Sequence, residues 1–260
     1  VNVVVETFVV VVTGGLGSLA GAFIAALLIG LIHVFGTALF PQSTLVVVFL
    51  TMAVVLADVS GAFANIGSFN PVMLVHGEQR VVCHSELPVA GEIESTSEIT
   101  AIWDKGKGAV IEVTAHAVST EDGSALFDLV MSAFIRGEGG FGGERGPSGP
   151  MNAPPDRSPD HAVSSVTRPE QALLYRLSGD RNPLHSDPSF AAMAGFDRPI
   201  LHGLCTYGFA GRALLHQLCD GDPGRFGSIE GRFSSPVFFN EAATTEIWRT
   251  GEGSAAFRAL

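Results

Sequence analysis

A run of 51 residues without Asp, Glu, Lys or Arg, at positions 7–57, constrains the fold more than any other feature of the sequence. Soluble helices rarely lack a charged face, and a membrane helix needs about 20 consecutive apolar residues. Residues 16–35 reach that length, and residues 44–57 form a shorter second apolar stretch. The pattern predicts a membrane-type helical segment over residues 1–60, with membrane association through residues 7–57. A buried helical hairpin in a soluble protein is the alternative.

Residues 78–260 have the composition of an ordinary soluble domain. They hold all 15 basic residues and 24 of the 26 acidic ones, which gives a net charge of −9. This acidic balance argues against a nucleic-acid partner, because phosphate binding needs clustered Lys and Arg. Cys83, Cys205 and Cys219 show neither paired nor metal-type spacing. Their spacing excludes a disulfide scaffold and a CxxC zinc site.

The glycine-rich stretch near the N-terminus allows two interpretations. VVVVTGGLG at residues 9–17 looks like a strand entering a dinucleotide-binding turn. No acidic residue follows about 20 positions later to bind a ribose, which disfavours that interpretation. GGLGSLAGA at 14–22, followed by LLIGL at 27–31, instead resembles the C-terminal end of branched-chain amino-acid ABC transporter permeases. That resemblance covers about residues 8–57 and implies no transport residues.

Hydrophobic periodicity predicts an α+β fold for the rest of the chain. Residues 93–136 contain three strands joined by the turn DKGKG at 104–108 and by the hairpin dipeptide Asp-Gly at 122–123. A Gly- and Pro-rich linker follows at residues 137–160. Beyond it we expect a long helix over residues 202–218 and further strands at 163–166, 228–237, 244–250 and 254–259, with short helices at 169–177 and 190–194. A long helix against an antiparallel sheet is one of the stable layer arrangements.

GDRNPLHSDP at residues 179–188 is the segment that offers the most chemistry. Its glycine and its Asn-Pro pair turn the backbone, so the side chains of Asp180 and His185 can converge. A carboxylate with a neutral imidazole is a competent general base for activating water. An Asx turn and a helix cap without catalysis would use the same residues, and the residues alone leave both alternatives open.

PILHGLCT at residues 199–206 opens the long helix and forms a second candidate element. The free N–H of Gly203 and the helix dipole can stabilise negative charge there. Water activation beside such a donor suits addition to a carbonyl-activated double bond. The alternative is an ordinary glycine at a packed helix start. Cys205 is expected to be a buried thiol and not a nucleophile.

These motifs resemble those of the (R)-specific enoyl-CoA hydratase 2, or MaoC-like, family. The resemblance rests on LYRLSGD at 174–180, AGFDRPILHGLCT at 194–206, HGEQ at 76–79 and GGFGG at 139–143. It covers about residues 68–259. It implies a double hot-dog fold, an acyl-CoA thioester as substrate, and reversible hydration of trans-2-enoyl-CoA to (R)-3-hydroxyacyl-CoA. A homodimer is a further expectation.

The resemblance also implies a role for each site residue. Asp180 and His185 hold and deprotonate a water molecule, and Asn182 positions it. The N–H of Gly203 binds the thioester oxygen as enolate charge develops. The resemblance implies neither a metal nor a redox cofactor.

The two ends of the chain depart from the family pattern. The segment at 1–60 stands where the first hot-dog half has its first strand and central helix, so residues 61–136 are expected to be a remnant of that half. Residues 161–260 are the expected C-terminal MaoC-like domain, one strand short of the usual length. The expected location is cytoplasmic for this part and membrane-associated if the first segment spans a bilayer. A permease fragment fused to a non-catalytic acyl-CoA-binding domain is the alternative function.

Overall fold

The computed structural model describes residues 66–88, 91–148 and 153–260. Within them the strands are β1 (Leu74–Cys83), β2 (Ile93–Asp104), β3 (Gly108–Ser119), β4 (Ala125–Arg136), β5 (His161–Val166), β6 (Ser228–Arg232), β7 (Ala242–Gly251) and β8 (Ser254–Ala259). The α-helices are α1 (Gln171–Arg176), α2 (Pro188–Met193) and α3 (Gly203–Leu218). Short 3₁₀ turns lie at Pro71–Met73, Pro183–His185 and Pro223–Arg225.

The larger sheet of the described residues is antiparallel and has the strand order β2-β3-β4-β1-β6. The predicted meander over residues 93–136 is confirmed as β2, β3 and β4. Alternating residues of these strands face the core, and Val113, Leu129 and Ile135 are almost fully buried. Strand β6 comes from the C-terminal part and pairs with β1, so the two parts of the chain share one sheet.

Strand β1 is an element that sequence periodicity missed. Its core-facing positions include the buried polar side chain of Gln79, and its pairing with β4 shifts register between His76 and Glu78. A polar inward residue and a bulge both break the period-two pattern on which strand prediction depends. The predicted strand at 228–237 also ends early, at Arg232, because the chain leaves the sheet before Pro236.

Helix α3 is the long helix predicted from the sequence, and it packs between the two sheets. The smaller sheet has the order β5-β7-β8. Tyr207 and Leu214 of α3 share one buried cluster with Ile229 of β6 and Ile247 of β7. The Tyr207 hydroxyl donates a hydrogen bond to the carbonyl oxygen of Ile229 at 2.7 Å. This arrangement confirms a mixed α+β fold.

The glycine-rich start of the predicted linker is fixed to the β2–β3 turn. The carboxylate of Asp104 accepts hydrogen bonds from the N–H groups of Gly106, Gly140 and Gly142 at 2.7–2.8 Å. All three glycines have positive φ, a conformation that glycine adopts without strain. Asp104 and the three glycines that it binds therefore form a clasp on the sheet, here called the glycine clasp.

The described residues contain no helix that is long and apolar enough to cross a membrane. The membrane-type segment predicted at residues 1–60 lies outside the described residues, as does the permease resemblance at about 8–57.

Candidate active site

The loop that joins α1 to α2 is shaped by two successive side-chain caps. Oδ1 of Asp180 accepts from the N–H of Asn182 at 3.1 Å, and Oδ1 of Asn182 accepts from the N–H of Leu184 at 3.0 Å. Gly179 precedes them with φ +116°. The second cap starts the 3₁₀ turn Pro183–His185, which places His185 inside the fold. The Asx-turn geometry is therefore real, and it brings the chemical groups together.

The imidazole of His185 is oriented by one hydrogen bond. Its Nδ1 lies 2.9 Å from the carbonyl oxygen of Ile200. A carbonyl can only accept, so Nδ1 carries the proton and Nε2 of the neutral ring offers a lone pair. Burial lowers the pKa of His185, although the Ile200 hydrogen bond and the charge of Asp180 act in the opposite direction. The ring is thereby kept in its basic form at neutral pH.

Asp180 and His185 converge, as the sequence indicated, and a third residue joins them. Ligand-type atoms of Asp180, His185 and His202 all lie within 4.8 Å of one another. Asp180 is exposed, whereas the two imidazoles are buried. Sequence analysis placed His202 at the start of the long helix without giving it a role. The signals for it were its place in the motif at 194–206 and its position directly before Gly203.

His202 contacts both members of the predicted pair. Its Nε2 donates to the backbone carbonyl of Asp180 at 3.3 Å. Its ring stacks on that of His185, with centroids 3.8 Å apart and planes inclined by 28°. Tyr175 lies on it as well, at a centroid distance of 4.7 Å. Burial and, next, the neighbouring His185 lower the pKa of His202 to about 4.

The three-residue group has the donor types of a metal site but not the orientation of one. Nearly parallel stacked imidazoles direct their lone pairs side by side, whereas tetrahedral coordination needs them to converge on one point. Nδ1 of His185 is also engaged with Ile200. The geometry suits proton transfer better than metal binding.

Gly203 is the first residue of α3 and directly follows His202. Its N–H has no acceptor within the helix, because the carbonyl four residues earlier lies outside it. A Cβ at this position would lie 3.2 Å from the ring of Phe233, so the site is closely packed. Since His202 contacts both Asp180 and His185, the Gly203 N–H and the positive end of the helix dipole are at the same end of α3 as the loop.

Strand β1 supplies a second side of the site, through the HGEQ motif at 76–79, to which sequence analysis gave no role in the site. His76 packs edge-on against Phe233 at a centroid distance of 4.9 Å, and its Nε2 donates to the carbonyl of Glu78 at 3.0 Å. Burial lowers the pKa of His76 to about 4, against smaller opposing effects that include the charge of Asp180. The candidate site therefore lies where the two parts of the chain meet.

Cys205 is buried, as expected, and burial raises the pKa of its thiol to about 12. A thiol with that pKa is almost entirely protonated at neutral pH. It is therefore a poor nucleophile.

An antiparallel sheet packed on one long helix, with a carboxylate–imidazole loop beside the helix start, defines a hot-dog protein of the hydratase and dehydratase class. Two family models match this chain. The MaoC-like domain matches residues 150–258, and the MFE-2 hydratase 2 N-terminal domain matches residues 37–137. The second match includes residues 44–57, the second apolar stretch of the predicted membrane segment.

Similar proteins agree with these matches. The chain is 48% identical over 211 residues to 3-hydroxyacyl-thioester dehydratase Y of Mycobacterium tuberculosis, covering 80% of this chain and 73% of that protein. It is 45% identical to a probable enoyl-CoA hydratase 2 of Dictyostelium discoideum, covering 73% of this chain and 65% of that protein. The crystal structure of a MaoC-like dehydratase from Phytophthora capsici superposes with a TM-score of 0.70 at 40% identity, covering 76% of this chain and 66% of that one.

The chain belongs to the MaoC-like hydratase 2 family. It spans about two thirds to three quarters of the length of these three relatives.

Proposed function

We propose that this protein adds water reversibly to a trans-2-enoyl-CoA to give the (R)-3-hydroxyacyl-CoA. The observation that carries the proposal is the convergence of Asp180 and His185, within 4.8 Å, at the end of α3 that presents the Gly203 N–H. Hydration of an unsaturated thioester needs those two elements: a base for water and a donor for the developing oxyanion.

In the proposed reaction, Nε2 of His185 takes a proton from a water molecule held by Asp180 and His185. The water oxygen bonds to C3 of the substrate, and the electrons of the C2–C3 double bond move towards the thioester oxygen. The N–H of Gly203 donates to that oxygen as its negative charge develops. The proton taken from the water is then delivered to C2, so that one water is added overall.

Asn182 is the proposed positioning group for the water. Its Oδ1 is engaged by the Leu184 N–H, which fixes the amide plane. The remaining Nδ2 hydrogens are donors that can point towards a water oxygen.

The proposal extends to the architecture. A double hot-dog is supported by the sharing of one sheet between the two parts of the chain, through β1 and β6. The proposed boundaries remain residues 1–60, 61–136, 137–160 and 161–260. Homodimerisation, a cytoplasmic location and the membrane segment remain predictions.

The test compares two identical substitutions in the 260-residue chain. Asp180→Asn keeps the Oδ1 acceptor for Asn182 but removes the carboxylate charge, so the rate of loss of enoyl-thioester absorbance should fall by about 100-fold or more. Asp187→Asn is the matched control, because Asp187 caps α2 and Asn caps equally well. Its activity should stay within about twofold of the wild type.

Equal activity of the Asp180→Asn variant and the wild type would reject the assignment. Binding of an enoyl-CoA without turnover by the wild type would instead identify an acyl-CoA-binding protein.

A further inference from the structure

We propose that His202 is a positioning residue for the hydration reaction: it joins the catalytic loop to the start of α3 and holds the ring of His185 in place. The inference rests on the proposed function and adds a residue to it. His202 is only 2% exposed, and it contacts both Asp180 and His185.

The first of its two contacts is a tether. Because the carbonyl of Asp180 can only accept, the proton of neutral His202 is on Nε2. This bond connects residues 22 positions apart in the sequence, one in the loop and one at the helix N-cap. The backbone of Asp180 is therefore held at the start of α3, next to Gly203, the residue that follows His202.

The second contact is the stack. His202 covers a face of His185 at 3.8 Å between ring centroids and itself lies against Tyr175 at 4.7 Å. An aromatic ring on this face excludes water and limits rotation of His185, whose Nδ1 must stay directed at the carbonyl of Ile200. Orientation of a base by packing is what productive proton transfer requires.

The fold itself gains little from an imidazole at this position. Nδ1 of His202 is buried and has no hydrogen-bond partner among the described residues. An unpaired buried acceptor is destabilising, and an apolar ring of similar size would avoid that penalty. The imidazole is therefore better explained by its tether than by stability.

His202 acts as a neutral donor. The titratable groups around this pair are Asp180 in the loop, Arg176 and Tyr175 on α1, Cys205 on α3 and His76 on β1. Burial, more than any of these charges, keeps the pKa of His202 near 4, so its own protonation does not enter the neutral pH range.

Two substitutions separate the tether from the stack. His202→Phe keeps a flat ring but removes the donor, and we expect kcat to fall about tenfold, equivalent to about 1.4 kcal/mol, with KM and the acid limb of the pH profile unchanged. His202→Gln keeps an amide donor near the position of Nε2 but removes the ring. We expect kcat to fall by only about threefold, because the Ile200 hydrogen bond still orients His185, while the acid limb moves to higher pH because water reaches His185.

The control is His216→Gln, at an exposed position near the end of the same helix, which should leave both parameters unchanged. The melting temperature of the Phe variant should stay close to that of the wild type, because the lost Nε2 hydrogen bond is offset by removal of the unpaired Nδ1. A wild-type kcat in the Phe variant would show that the hydrogen bond from His202 to the Asp180 carbonyl does not position the catalytic loop. Equal losses in both variants with a lowered melting temperature would show a purely structural role.

An inactive wild type would reject the proposed function without deciding this inference, so a second measurement is independent of turnover. NMR titration of the imidazole protons gives the pKa of His185 directly. We expect the pKa of His185 to be raised in the Gln variant and unchanged in the Phe variant. An unchanged pKa of His185 in the Gln variant would show that the ring of His202 does not shield His185 from water.

Discussion

The Nδ1–H of His185 donates to the backbone carbonyl of Ile200, with 2.9 Å between the nitrogen and the oxygen. Ile200 belongs to the segment that leads into α3, so the same segment orients the base and supplies the Gly203 N–H. The bond also selects the tautomer in which Nε2 is free to accept a proton. The base and the oxyanion donor are thus placed relative to each other by the backbone.

The pH dependence of kcat/KM should report this histidine. Burial lowers the pKa of His185, so the basic form persists below the ordinary value of about 6.5. We expect activity to fall with decreasing pH through a midpoint below about 6.5. Asp180 raises the pKa of His185, so the residual activity of Asp180→Asn should show a midpoint at still lower pH. A wild-type midpoint above 6.5 would contradict the assignment of His185 as the base.

Two substitutions at Gly203 should distinguish the contribution of its N–H from the effect of adding a side chain. Both Ala and Pro add a Cβ 3.2 Å from the Phe233 ring, which must shift by a few tenths of an ångström. Only Pro removes the N–H. His202 has φ −58° and ψ 132°, which suits a residue before proline, and Pro is favoured at the first position of a helix.

We therefore expect Gly203→Pro to fold and to have a kcat about 100-fold below that of Gly203→Ala, the usual effect of losing one oxyanion donor. Steady-state kinetics and circular dichroism of both variants provide the measurement. Equal kcat values would show that this N–H does not bind the thioester oxygen.

Asn182→Asp should separate the cap from the amide donor. An aspartate still accepts from the Leu184 N–H, so the 3₁₀ turn and the melting temperature should be preserved. The loss of the Nδ2 donor should lower kcat by about tenfold. The added negative charge should move the acid limb to higher pH, because it favours the protonated form of His185.

The chain offers a matched control for this change. Asn70 also precedes a proline, and its Oδ1 accepts from the N–H of Val72 at 3.1 Å at the start of another 3₁₀ turn. Asn70→Asp should leave kcat and the pH profile unchanged. A loss of activity in both variants would show a general charge effect.

The sequence predicted local elements well, because their signals are local. The alternation over residues 93–136 and the Asp-Gly turn at 122–123 define the meander, and strand Ser254–Ala259 has the bounds that its pattern indicated. The convergence of Asp180 and His185 was accessible for the same reason, since a turn of only a few residues brings them together.

Contacts between distant parts of the chain were not accessible from the sequence. His202 meets Asp180 across 22 residues, and His76 reaches the site only because β1 pairs with β6. The inward polar residue Gln79 concealed β1 itself. For His202 and His76 the information lies in packing between elements, which hydrophobic periodicity and residue spacing do not record.

Asp104 should stabilise the glycine clasp only while it is ionised. Hydrogen bonds from the backbone N–H groups of Gly140, Gly106 and Gly142 lower the pKa of its carboxyl. A lowered folded-state pKa contributes stability above the unfolded value of about 3.9, and that contribution is lost as the pH falls through the folded value. Asp104→Ala should therefore unfold at lower urea concentration than the wild type at pH 7, with the difference shrinking in acid.

Amide hydrogen exchange supplies the local measurement. The Gly140 and Gly142 amides should exchange faster in Asp104→Ala, while amides of the core strand β3 keep their protection at neutral pH. Asp104→Asn should be intermediate, because its amide oxygen can still accept from Gly106 and Gly140 but its NH₂ group faces the Gly142 N–H. If Gly140 and Gly142 exchange at the wild-type rate in Asp104→Ala, the clasp is held by backbone conformation and not by the carboxylate.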